Sequence, residues 1–460
     1  LIGTRKASKI TLGPASEHVK RHKPRILWDK PISVVCTSGY VRASNRANRV
    51  EGILRIKHPR VDAVALLDRG SDNRDSNDKS NQQVDHKPDP SQQAFPANLI
   101  DIIREIREEK IPAPMAPEFV FELTSEAAEK NFMILRKYNF DLGQALEAQR
   151  SSPLGYGSEF QPQASLHKLF RSHPLGQWME RLLVEGLKWP LLELSKEDRL
   201  EDLKEALQFG NHKGASEKPV LLKKLISDDI RFGYGLVVPR GKITRLSNAC
   251  LAPMNITNQF TLDASGEIVD KERLTHDQSF EWQSGWPVNK RVIRECLQKC
   301  MYGRCLMRLL CWIVAARKKF PNKPIALQKI DIKSAYRRCH LNAITAMQTI
   351  TQLPDDDLGI IMLRLTFGGA PCPFEWNIIS KSIRDLANEI LFDESWNPAE
   401  IHAPCQHLVP EMKLMDDSIP FAEGRDLIVD ILVDARGTGD VYIDDLIQAT
   451  IVIEGTDNAF

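Results

Sequence analysis

The spacing of apolar positions divides the chain into a helical stretch followed by a strand-rich one. Leu99, Ile102, Ile103 and Ile106 recur at helical spacing, and Glu126 to Tyr138 predicts a second helix. The block from Leu175 to Leu207 carries Trp178, Met179, Leu182 and Leu183 on one stripe. Ser195 then stands where an N-cap belongs, ahead of Leu200, Leu203 and Leu207. From Arg231 the apolar runs shorten: Tyr234 to Pro239 and Gln259 to Leu262 read as strands punctuated by Gly and Pro, and Ile32 to Cys36 reads as an earlier strand. Asn289 to Lys323 predicts a long helix. Another follows Pro373, a residue suited to a first helical position, with Phe374, Ile379, Ile383, Leu386 and Ile390 on its apolar face. Two β-prone runs close the pattern, Val441 to Ile443 and Ala449 to Ile453, with Asp444 and Asp445 between them. The sum is an α+β chain.

Polar stretches set the divisions. From Asp68 to Gln93 the only aliphatic side chain is Val84, too little apolar surface to offset the entropy of ordering, so a disordered linker is expected over 68–97. It separates an unassigned segment, 1–67, from a mainly helical region, 98–228. Phe209-Gly210-Asn211-His212-Lys213-Gly214 lacks the Gly-Lys-Ser/Thr ending of a phosphate loop and reads as a helix stop and turn. The stretch from Asp393 to Asp440 is acidic and reads as a surface insertion.

Charge and cysteine content narrow the classes. A formal net charge of +1 over 460 residues excludes a chain that binds polyanions with its whole surface, so any nucleic-acid contact must be a local patch. Asn289 to Lys323 offers one: Lys290, Arg291, Arg294, Lys299, Arg304, Arg308, Arg317, Lys318, Lys319 and Lys323 against the single acid Glu295. A solvated face is the alternative reading. Nine Cys without a Cys-x-x-Cys pair point to a reducing, intracellular setting. Cys296, Cys300, Cys305 and Cys311 fit no zinc spacing and are expected as small buried groups, while His402, Cys405 and His407 would supply three zinc ligands without a fourth. Leu309 to Ala316, the longest apolar run, is too short to cross a bilayer, so no membrane partner is expected. No signal peptide is evident, and the start at Leu1 suggests a fragment.

The candidate chemistry lies in the carboxylates. Successive side chains of a strand face opposite ways, so Asp444 and Asp445, between two apolar runs, cannot both enter a core and read as a hairpin tip. Carboxylates gathered without partners call for a compensating charge, commonly a divalent cation. Asp331 ends another short apolar run, at Ile330-Asp331-Ile332.

Together these stretches resemble the reverse transcriptase family, in wording closest to retrotransposon polymerases. Tyr442-Ile443-Asp444-Asp445 is similar to its Tyr-x-Asp-Asp hairpin, and Asp331 with Tyr336 to its first catalytic motif. Leu365-Thr366-Phe367-Gly368-Gly369-Ala370-Pro371 looks like its glycine-containing loop, in a shorter form. Arg273 and Asp277 have the Arg-x-x-x-Asp spacing of its fingers. The resemblance implies a right-hand polymerase, fingers-like over 229–324 and palm over 325–460; the sequence is expected to stop short of the thumb, leaves no room for a ribonuclease H domain and carries no Asp-Ser/Thr-Gly protease signature. It implies addition of deoxynucleotides to a primer 3′ end on an RNA or DNA template. Two Mg²⁺ ions, replaceable by Mn²⁺, would be held by Asp331, Asp444 and Asp445. Arg273 would contact the deoxynucleoside triphosphate, with Asp277 its neighbour in the same element. Tyr336 would exclude a 2′ hydroxyl, and Phe367 with Gly368 would line the nucleotide pocket. Two alternatives stay open: a nucleic-acid-binding remnant without activity, and an RNA-directed RNA polymerase.

Overall fold

The computed structural model describes residues 32–36, 39–43, 94–160, 162–262, 267–300, 302–321, 323, 325–393, 395–396 and 437–451. Across these the chain is a mixed α+β structure of helices and small antiparallel sheets. Strands β1 (Ile32–Cys36) and β2 (Gly39–Ala43) pair with each other. The helices α1 (Leu99–Glu108), α2 (Ser125–Lys137), α3 (Leu142–Glu147), α4 (Gln163–Phe170) and α5 (Gly176–Glu185) follow. Next come α6 (Lys196–Phe209), the single turn α7 (Lys213–Ser216) and α8 (Pro219–Arg231). Beyond them lie β3 (Gly235–Pro239), the hairpin β4 (Met254–Leu262) and β5 (Ile268–His276), α9 (Cys305–Lys319) and β6 (Ile325–Asp331). The turn α10 (Ala343–Ala346), β7 (Ile350–Leu353), β8 (Leu358–Met362), α11 (Cys372–Phe392), β9 (Thr438–Tyr442) and β10 (Asp445–Ile451) complete the order.

Local signals set several boundaries as the sequence suggests. The Ser195 hydroxyl accepts from the Asp198 N–H at 3.0 Å and starts α6. Gly210, with φ +80°, stops it, so Phe209 to Gly214 is a helix end and turn. The Thr124 hydroxyl likewise caps α2 through the Ala127 N–H.

Two sheets organise the second half. In one, β8 lies between β3 and β7; in the other, β10 lies between β6 and β9. One apolar core runs from Phe95 through Leu203, Leu236, Tyr336 and Trp376 to Leu446. A second packs Leu222, Ile226 and Ile230 of α8 against Val237 and Ile360. A third packs Leu309, Trp312 and Ala316 of α9 against Ile325, Ala449 and Ile451. The main core crosses the expected divisions at 228/229 and 324/325, and β3 pairs with β8 across the second of them. Those limits therefore do not separate packing units.

Several expectations need correction. The linker is expected to reach residue 97, but Phe95 is 3% exposed and its ring meets Phe170 at 5.8 Å, because an aromatic side chain beside α1 has a core to enter. The expected helix over 289–323 shrinks to α9. Val288–Arg291, Arg294–Cys296 and Tyr302–Arg304 are single 3₁₀ turns. The basic patch thins accordingly. Arg291 is buried, donating to Leu192 O and Gln348 Oε1, and Arg317 is buried, donating to the carbonyls of Pro321 and Lys323. Of the four cysteines expected inside, Cys305 is buried and Cys296 is exposed. Residues 1–31, 44–67, most of the linker, the His402, Cys405 and His407 group and residues 397–436 lie outside the described residues.

Candidate active site

Strand register brings the carboxylates together. In the antiparallel pair of β10 and β6, Asp445 stands directly opposite Asp331, so both side chains leave the same face of the sheet. Farther along that face, Ile325, Leu327, Ile447, Ala449 and Ile451 pack under α9. The two aspartates occupy the end that the helix leaves uncovered. Asp444 arrives from the hairpin: Tyr442 pairs with Asp445, leaving Ile443 and Asp444 as a two-residue turn. One oxygen from each of Asp331, Asp444 and Asp445 can be chosen so that all lie within 4.8 Å of one another.

The turn is held under strain. Ile443 has φ +56°, a left-handed backbone that a β-branched residue adopts at a cost of about 1–3 kcal/mol. Its carbonyl accepts the Trp376 indole N–H at 2.6 Å, and the Asp444 carbonyl accepts the Ile332 N–H at 2.9 Å. Trp376 is 1% exposed on α11. The helix beneath the sheet thus fixes the tip that bears the acids. Trp376 is not among the residues expected on the apolar face of this helix.

The charges are uneven. Burial raises the Asp444 carboxyl above the usual range; its own backbone N–H opposes this, and Asp445 and Asp331 add to the rise. Lys329 lies 2.9 Å from Asp445 Oδ2, whereas Asp445 Oδ1 is buried without a hydrogen-bond partner. Three oxygen donors and an orphaned carboxylate atom fit a hard divalent cation, which takes carboxylate oxygens by preference. The ammonium supplies only one positive charge against three negative ones.

Tyr336 is 7% exposed, and its ring lies 5.1 Å from Phe367 and 6.5 Å from Trp376. Burial, then Cys372 and Asp444, push its phenol upward, so it remains a neutral ring beside the acids. Phe367 is 43% exposed. Gly368 follows with φ +129°, and a Cβ there would lie 1.7 Å from the His276 carbonyl oxygen. The Phe367 carbonyl in turn accepts the His276 N–H at 2.8 Å. The glycine loop is thereby locked to the end of β5, the strand that carries Arg273. Gly368→Ala should lower stability by about 2 kcal/mol or more, read as a loss of urea midpoint, because the obstacle is backbone and the φ is wrong for any side chain.

Arg273 is exposed on β5 opposite Thr257. Asp277 departs from expectation: β5 ends at His276, and the Asp277 carboxylate takes His212 Nε2 at 3.0 Å. It serves the turn after α6, because the chain bends away from the hairpin there.

Three charged groups also escape sequence reasoning. Asp440, assigned to a surface insertion, is 5% exposed on β9, where Arg308 grips both its oxygens at 2.6 and 2.7 Å. Strand alternation could have found Lys329, two residues before Asp331 and therefore on its face. Glu375, in the first turn of α11, is 6% exposed, and burial pushes its carboxyl up to about 7. A rise from the ordinary 4.5 is worth on the order of 3 kcal/mol. Its sign is set by linkage: with the folded value raised, the contribution is complete below pH 4.5 and lost as pH climbs through about 7. Thermal melts should therefore fall between pH 5 and 8, and Glu375→Gln should flatten that decline.

Comparisons with models of known families, with curated proteins and with solved structures found no match for this chain. Among the described residues, no helix is long and apolar enough to cross a membrane.

Proposed function

We propose that the chain is a template-directed nucleotidyltransferase of the reverse transcriptase kind, extending a primer 3′ end with deoxynucleotides. The observation that carries this reading is the convergence of Asp331, Asp444 and Asp445 within 4.8 Å at one open end of a sheet, on the motifs that resemble that family. A pair of divalent ions, when bound, would offset charge on the attacking and leaving oxygens of the phosphoryl transfer. The chain's own residues do the rest. Asp331 and Asp445 present carboxylates from facing strands, while Asp444, on a turn pinned by Trp376, completes the set. Held in place before substrate arrives, they need little reorganisation during reaction.

Tyr336 and Phe367 supply selectivity in this reading. A buried, neutral ring packed against a half-exposed one is a rigid wall beside the carboxylates, and a ribose 2′ hydroxyl would meet it. Arg273, exposed on the hairpin tied to the glycine loop, would take the triphosphate as a planar cation.

This chain with Mg²⁺, a primed RNA template and labelled nucleotides tests the proposal. Deoxynucleotide extension is the expected result. Extension with ribonucleotides alone would indicate an RNA polymerase, and salt-sensitive template binding without synthesis would indicate an inactive binding remnant.

A further inference from the structure

Lys329 belongs to the carboxylate face by register. It sits two residues before Asp331 on β6, opposite Ile447 and diagonal to Asp445, at the distance where side chains of neighbouring strands still meet. Its ammonium is 2.9 Å from Asp445 Oδ2, and the other oxygen of that carboxylate is buried without a partner. About half exposed, Lys329 can leave this position for solvent without breaking the core, whereas the carboxylates, fixed by strand pairing and the Trp376 bond, cannot follow it. The same oxygen cannot hold an ammonium and a divalent ion at full strength.

We propose that Lys329 is a built-in counter-cation that occupies the carboxylate cluster in the absence of metal and must withdraw from Asp445 when a divalent ion binds. It lets the strands pair while three acids face one another, and it weakens cation affinity in exchange. This rests on the reading of Asp331, Asp444 and Asp445 as cation ligands, and the experiment separates the two claims.

The test is Mn²⁺ titration of the full chain, followed by the electron paramagnetic resonance signal of the free ion, together with thermal melts in chelator. Lys329→Met should bind Mn²⁺ roughly fivefold more tightly, the scale of a partly exposed ion pair. It should melt lower than wild type in chelator and gain more on Mn²⁺ addition. Lys329→Arg, which keeps the charge, should remain close to wild type and controls for folding. If wild type binds Mn²⁺, loses it in Asp444→Asn, and Lys329→Met binds no more tightly, the counter-cation proposal is overturned and the cation site stands. If neither wild type nor Lys329→Met binds Mn²⁺, both fall.

Discussion

Asp444→Asn should reduce deoxynucleotide incorporation by roughly 10³-fold while raising the melting temperature at neutral pH. The first effect follows from the proposed function, in which three clustered carboxylates would act together on the reacting phosphate and one of the three is removed. The second follows from the electrostatics of the empty cluster. Burial, foremost, then Asp445 and Asp331 raise the Asp444 carboxyl, with its own backbone N–H in opposition. A group raised on folding contributes its stability below its unfolded value and loses it as pH rises through the folded one. Ionisation of Asp444 is thus a cost to the fold, and the isosteric amide removes it. Single-turnover primer extension and calorimetry on the same preparations check both halves. A variant that keeps its incorporation rate would remove Asp444 from the chemistry. One that loses activity and also melts lower would point to damaged structure.

Replacing Arg308 by Ala should destabilise the protein by about 3 kcal/mol, seen as an earlier urea midpoint. Asp440 is 5% exposed, and the Arg308 guanidinium meets both its oxygens. Arg384 stands farther off, at 3.7 Å, and compensates only in part. Removing Arg308 strands a buried carboxylate on the strand that runs directly into the Tyr442 to Asp445 hairpin. Joint replacement, Arg308→Met with Asp440→Leu, should recover most of the loss, since a buried pair can be exchanged for apolar packing at little net cost. If Arg308→Ala and the double variant unfold at the same urea concentration, the stranded charge is not the cause.

The candidate carboxylates are legible as chemistry in the order of residues alone. An acid where an apolar run ends has no core to enter, and Asp331, Asp444 and Asp445 all sit at such ends. The helical stripes through Leu99, Met179 and Phe374, the Ser195 cap and the stop at Gly210 are legible too, because spacing and capping act within a few residues. The helix expected over 289–323 fails at its first half, where tertiary contacts of Arg291 outweigh propensity.

Periodicity and residue type are local properties, and they suffice for the mixed α+β texture and for the choice of candidate carboxylates, rings and glycines. Tertiary structure alone decided their assembly. It joined Arg308 to Asp440 across 132 positions, seated Trp376 against the Ile443 carbonyl 67 positions away, and pressed Gly368 onto His276. It also set the opposite register that puts Asp331 and Asp445 on one face. Contacts between distant segments depend on which strands pair and how helices cover them, and no local pattern of apolar and polar residues encodes that choice.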